Sequence, residues 1–146
     1  MACFGGHLQV VKYLASRGAN VHATNEWGCD ASHFVGMTIS KSYKEVRQLC
    51  NFLKHQLGIN FTRSQDQGHT ILHKAAQKRN QHVIEWLSDD NYRESIEKEK
   101  QGAGLTMKEK KEISAPDLGG YTPSQIWEKF SGDAEFAKWM RKSFGW

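Results

Sequence analysis

Apolar and aromatic positions recur along this chain in one phrase: Lys12-Tyr13-Leu14, Asn51-Phe52-Leu53, Glu85-Trp86-Leu87 and Lys138-Trp139-Met140. Each sets a polar residue before an aromatic one, with a long apolar residue after it. Just upstream stand Val10-Val11, Leu49-Cys50, Val83-Ile84 and Phe136-Ala137. Apolar groups at i, i+3 and i+4 make one stripe of a helix. Helices of this kind recurring along a chain predict an array of stacked units.

A second pattern lies ahead of these helices. Gly28-Cys29-Asp30-Ala31-Ser32-His33, Gly68-His69-Thr70-Ile71-Leu72-His73 and Gly120-Tyr121-Thr122-Pro123-Ser124-Gln125 share one layout. The glycine suits a left-handed turn, and the Asp or Thr two residues on can cap a helix. Pro123 then takes the first helical position, and Gln125 completes a capping box with Thr122. A third pattern follows the aromatic helix, where Gly18-Ala19-Asn20-Val21 and Gly58-Ile59-Asn60-Phe61 supply a C-terminal glycine and an extended stretch. One unit is therefore a turn, a capped helix, a loop, a second helix, a glycine stop and a finger.

This layout resembles the ankyrin-repeat family, whose period is about 33 residues with a Thr-Pro-Leu-His signature. Thr70-Ile71-Leu72-His73-Lys74-Ala75-Ala76 is the nearest copy of that signature in the chain. Gly6-His7-Leu8-Gln9-Val10-Val11 resembles the family's inter-helix turn, and Gly18-Ala19-Asn20-Val21-His22-Ala23 the start of its hairpin. The resemblance implies an all-α fold with short hairpin fingers, an ankyrin-type α-solenoid of about three and a half units. The expected divisions are a partial repeat over 1–24, a repeat with an inter-helix insertion over 25–64, a repeat over 65–88, a charged insertion over 89–116 and a degenerate capping repeat over 117–146. In that family the signature imidazole hydrogen-bonds backbone and braces neighbouring units, the part implied for His33 and His73.

Several positions depart from the pattern. His33 and His73 stand 40 residues apart, so the second unit carries extra residues, expected in Thr38-Ile39-Ser40-Lys41-Ser42-Tyr43. Ser32 fills the slot of Leu72, which predicts weaker packing there. Arg79 stands where the first unit has Gly6, and a left-handed turn would cost an arginine roughly 1 kcal/mol more than a glycine. Asn80 is the candidate to shift that turn by one residue. The fourth unit has Gln125 in the histidine slot and Trp127 in place of Ala75, as expected of a terminal cap. Met1 falls inside a unit, which suggests a shortened start and leaves Val10, Val11 and Leu14 short of a neighbour on one side.

Residues 89–115 hold seven acids, six bases and Gly102-Ala103-Gly104. So little apolar matter predicts a mobile or weakly helical insertion, because ordering costs roughly 1–2 kcal/mol per residue. The whole chain has 146 residues and 38% hydrophobic content, enough for one continuous thin core. Three scattered cysteines, Cys3, Cys29 and Cys50, argue for reduced thiols in a cytoplasmic or nuclear protein. The start lacks the apolar core of a signal peptide, and no run approaches the ~18 apolar residues of a membrane span.

The chemistry-bearing residues point away from catalysis. Seven histidines invite a metal, but Cys29 and His33 have no second ligand pair at zinc spacing, and repeat position explains His33, His73 and His7. Gly102-Ala103-Gly104-Leu105-Thr106-Met107-Lys108 lacks phosphate-loop spacing. Trp86 and Trp139 fall in the repeated stripe, whereas Trp27, in the finger Asn25-Glu26-Trp27-Gly28, has no core duty. The expectation is a non-enzymatic module without cofactor, metal or small-molecule substrate, binding an unidentified protein partner and no membrane. The candidate contacts, taken from repeat position, are His22, Thr24, Glu26 and Trp27 in the first finger; Arg63, Gln65, Gln67 and His69 in the second; and Gln77 and Lys78 at the end of the next helix. Trp27 and Arg63 are the expected anchors. The alternatives are a regulatory or targeting fragment of a larger enzyme, or a nonfunctional truncated fragment. Residues 1–65 carry seven bases against three acids, but these bases are scattered over helix faces, so nucleic-acid binding is a minor alternative.

Overall fold

Among the described residues, most helices start where a small polar side chain turns back on the first N–H groups. The computed structural model describes residues 2–38, 42–89 and 102–146, and among them the regular elements are all helical. They are α1 (Leu8–Ser16), α2 (Ala31–Gly36), α3 (Tyr43–Asn51), α4 (Ile71–Gln77), α5 (Gln81–Ser88), α6 (Met107–Ile113), α7 (Pro123–Ser131) and α8 (Ala134–Ser143). A π-helical turn, Phe52–Gln56, prolongs α3. Asp30, Thr70 and Thr122 hold the N-cap positions of α2, α4 and α7. The Thr122 N–H donates to Gln125 Oε1 at 2.9 Å, and the Gln125 N–H donates back to Thr122 Oγ1 at 3.3 Å.

The first helices of successive units, α2, α4 and α7, pack side by side. The second helices stack in another layer, with α1 on α3 and α3 on α5. The core lies between the layers and is densest around α5. There Val83, Ile84, Trp86 and Leu87 are inaccessible to solvent, together with Leu49, Leu53, Phe61, Ile71 and Leu72. Trp86 meets Phe61 edge-on at 5.2 Å, and its indole N–H donates to Asn51 Oδ1 at 2.9 Å. Such a site satisfies both the apolar body and the polar tip of a tryptophan.

The stripe reading needs correction at both ends of the array. Val10 and Leu14 are exposed, as the expected lack of a neighbour implies, and Val11 is buried, but Tyr13 is 62% exposed as well. Trp139 is exposed too, stacked on Phe136 at 4.9 Å instead of buried against the third unit. Ile126 and Trp127 are buried. Ser32, in the leucine slot, is wholly buried and donates its hydroxyl to Asp30 Oδ1 at 2.6 Å.

The expected loop between α2 and α3 falls partly outside the described residues, as does 90–101 of the charged run. Residues 102–116, however, are not the loosely held stretch that their composition predicts. Thr106 and Glu109 form a capping box on α6, and Ala103, Leu105 and Ile113 are buried. The Ala103 N–H donates to Trp86 O at 3.0 Å, the Gly104 N–H to Asp89 O at 3.1 Å and Lys110 Nζ to Ser88 O at 2.7 Å. These donors satisfy carbonyls at the end of α5 that the helix itself leaves open. A lysine there also complements the negative end of the helix dipole. A few well-placed apolar groups and donors thus suffice where the average composition is polar.

The turn between α4 and α5 resolves the Arg79 question. Arg79 itself takes the left-handed conformation, with φ 54°. Asn80 does not displace it. Its side-chain amide donates to Gly36 O at 3.2 Å and Thr38 O at 2.9 Å, tying the turn to the preceding unit.

Candidate functional site

Three fingers repeat one local design. Asn25, Gln65 and Asp117 each open a finger, and each lends a side-chain oxygen to two later N–H groups. Asn25 Oδ1 accepts from Trp27 at 3.0 Å and Cys29 at 2.9 Å. Asp117 Oδ1 accepts from Gly119 and Tyr121, both at 2.9 Å. Gln65 Oε1 accepts from Gln67 and from His69. The fourth residue of each finger is Gly28, Gly68 or Gly120, with φ of 77°, 80° and 85°. Only glycine takes that conformation without strain. A side-chain acceptor and a left-handed glycine fix each tip as a tight turn.

The fingers are then linked to one another. Asp66 N–H donates to Trp27 O, and Leu118 N–H to Gln67 O, both at 3.1 Å. Behind the first two tips stands the histidine of the adjoining helix. His33 Nε2 donates to His69 O at 3.0 Å, and His73 Nε2 to Tyr121 O at 3.2 Å, so each buried imidazole holds the next finger. The bracing implied for His33 and His73 is therefore seen at both junctions. Thr70 adds a hydroxyl bond to Ile113 O at 2.7 Å.

Burial governs the charges behind the tips. His73 is held down to about 4, first by burial and then by nearby His69. The two rings stack at 5.5 Å. His69 is likewise lowered, by burial first and by Lys74 second, against the opposing pull of Asp117 at 3.0 Å. Asp30 is lowered to about 2: burial alone would raise it, but hydrogen bonds from His33 and Ser32 favour the carboxylate. The braces are thus a neutral imidazole at His73 and an ionised carboxylate at Asp30 near neutral pH.

The sequence-derived contact set divides in two, and a third group lies outside it. His22, Thr24, Glu26, Trp27, Gln67 and Lys78 are exposed, and Gln77 is half-buried at the end of α4. Trp27 is 56% exposed, although its N–H and carbonyl are both fixed by the finger. A second group supports the fingers instead of facing outward. Gln65 is buried as the acceptor of its own turn. His69 is half-buried and paired with Asp117. Arg63, expected as a free anchor, donates Nη1 to Gly28 O at 2.6 Å and lies 3.5 Å from Asp30. The third group was missed: Leu118 and Tyr121 are exposed on the last finger. Their signal was the spacing of polar residue, two residues and glycine, which Asp117-Leu118-Gly119-Gly120 shares with Asn25-Glu26-Trp27-Gly28 and Gln65-Asp66-Gln67-Gly68.

This arrangement can present side chains at fixed intervals on a preformed backbone. Among the described residues, no three His, Cys, Asp or Glu side chains are grouped as metal ligands. No helix among them is long and apolar enough to cross a membrane. Residues 1–100 match the family model for ankyrin repeats in three copies. That span exceeds half of the chain, and the chain belongs to the ankyrin-repeat family. No curated protein matches it.

Proposed function

We propose that the row of fingers and the adjoining ends of the first helices form a surface for a protein partner. Ankyrin repeats are generally protein–protein interaction modules, and the contact residues are the finer part of the proposal: His22, Thr24, Glu26, Trp27, Gln67, Gln77 and Lys78, joined by Leu118 and Tyr121. Gln65, His69 and Arg63 act behind this surface, holding the tips in place. The observation that carries the reading is Trp27. Its backbone is bonded on both sides while its indole stays in solvent. A large aromatic group held out on an ordered turn loses little freedom on binding, and tryptophans of this kind dominate interface energetics.

The test compares wild type with Trp27→Ala in affinity capture from a cell extract, followed by direct titration of each recovered protein. The variant should melt with the wild type, because Trp27 covers no core. Proteins titrating with wild type should bind the variant at least tenfold more weakly, the ~1.4 kcal/mol expected of an anchor residue. Equal affinity for every recovered protein would remove Trp27 from the surface.

A further inference from the structure

The geometry points to a second docking site, between the start of α7, α8 and the last residues, that takes an acidic peptide with one apolar anchor side chain. Two adjoining hollows carry the inference. The first is a pocket of about 290 Å³ whose floor includes Leu72, Pro123, Met140 and Phe144, with Ser114 and Gln125 at its edge. This is the size of a single large side chain, at the lower limit of ligand pockets. The second is a shallow basin between Lys138, Trp139 and Lys142, with Glu135 at its edge. Arg141 and Trp146 line both hollows, so the pocket and the basin adjoin across these two side chains.

The wall between them is ordered. The Trp146 indole N–H donates to Ser114 Oγ at 2.6 Å, and its backbone N–H donates to Arg141 O at 2.8 Å. The ring is nevertheless 62% exposed. Lys138, Arg141 and Lys142 are exposed as well, and among the described residues no carboxylate comes within ion-pair distance of any of them. Arg141 and Lys142 lie in the last turn of α8, where the helix dipole favours cations. Three unpaired cations beside an apolar pocket select a partner by charge complementarity: carboxylates over the basin, an aliphatic or aromatic side chain in the pocket. Glu135 is the acidic side chain among the lining residues, and it disfavours a uniformly anionic surface held close.

A fluorescein-labelled peptide with one leucine flanked by aspartates and glutamates is the probe, read by anisotropy on the full chain. Saturable binding is expected, weakening as salt shortens the range of surface charges to roughly 3 Å at 1 M. Replacing the leucine by alanine, or the acids by their amides, should each reduce affinity about tenfold. Lys138→Glu with Lys142→Glu should do the same, and Trp27→Ala should change nothing, which separates this site from the first finger. Because both lysines are exposed, circular dichroism should show the variant folded. If it does not, Lys138→Gln with Lys142→Gln serves in its place. Equal binding of the amide peptide, or indifference to the lysine changes, overturns the proposal. So does preference for phosphatidylserine vesicles or an oligodeoxythymidine strand over the peptide.

Discussion

Trp86 in α5 and Tyr13 in α1 fill the same slot of the same sequence phrase, yet Trp86 is sealed in the core while Tyr13 stands in solvent. The difference lies in their neighbours. The helix α5 has α3 on one side and residues 102–105 on the other, where Ala103 bonds to the Trp86 carbonyl itself. The helix α1 packs on α3 and leaves its other flank open. A repeat motif therefore specifies a stripe, and the adjacent unit decides how much of it is buried. Replacing each aromatic by alanine should make this contrast energetic. Trp86→Ala should cost roughly 3–5 kcal/mol, a large share of the stability of a domain this size. Tyr13→Ala should stay within about 0.5 kcal/mol. Equal losses in urea titrations would mean that the ends of the array are as tightly packed as its centre.

Acid should act on the centre before it acts on the start. His73 titrates at about 4 in the folded chain against an ordinary value of 6.5. Its folded pKa is lowered, so the unfolded chain takes up the proton first. The stabilisation is complete above 6.5 and is lost as pH falls towards 4. The gap corresponds to about 3 kcal/mol. Lowered His69 acts in the same direction. Asp30, held near 2 against 3.8, keeps its contribution until still lower pH. Chemical denaturation from pH 7 to pH 4 should therefore show a steep loss, strongly reduced in His73→Gln. A flat profile for wild type would show that folding does not lower the pKa of the ring.

Much of this was legible in the sequence because it rests on local chemistry. The capping residues Asp30, Thr70 and Thr122, the turn glycines and the core places of Trp86 and Leu87 follow from spacing alone. The errors fall where distant parts of the chain meet. Arg63 reads as a surface anchor until the fold brings Gly28, 35 residues away, to its guanidinium. Residues 102–116 read as polar because composition averages over Ala103, Leu105 and Ile113, the few side chains that enter the core. Trp139 matches the stripe, but nothing in its own helix reveals that it stacks on Phe136 and stays exposed.

The junction between the first two fingers offers a smaller, more local test. Arg63→Ala removes the charged donor from Gly28 O and the cation beside Asp30, both on the preceding finger. The arginine is partly exposed, so the loss should be about 1–2 kcal/mol, at the low end for a hydrogen bond from a charged group. Hydrogen exchange should accelerate at Asn25, Cys29 and Asp30 more than in α5. Uniform acceleration throughout the chain would mean that the first finger does not open separately from the centre.

The turn slots of the same two regions supply the smallest effect, and its sign is the informative part. Gly6 takes φ 69° in the first unit, and Arg79 takes φ 54° in the third. A left-handed arginine is strained by roughly 1–2 kcal/mol, whereas glycine in that slot gives back about 0.5–1 through its freer unfolded state. Arg79→Gly should therefore stabilise the chain by somewhat under 1 kcal/mol, about 2 °C in melting temperature. Gly6→Ala should destabilise it by a similar amount. The central unit tolerates its strained turn because Asn80 anchors the loop to Gly36 and Thr38, so Asn80→Ala should remove more stability than Arg79→Gly restores. A melting temperature that falls in Arg79→Gly would show that the arginine side chain contributes more than its backbone costs. The advantage of the burial-rich centre over the open first unit would then extend even to its turns.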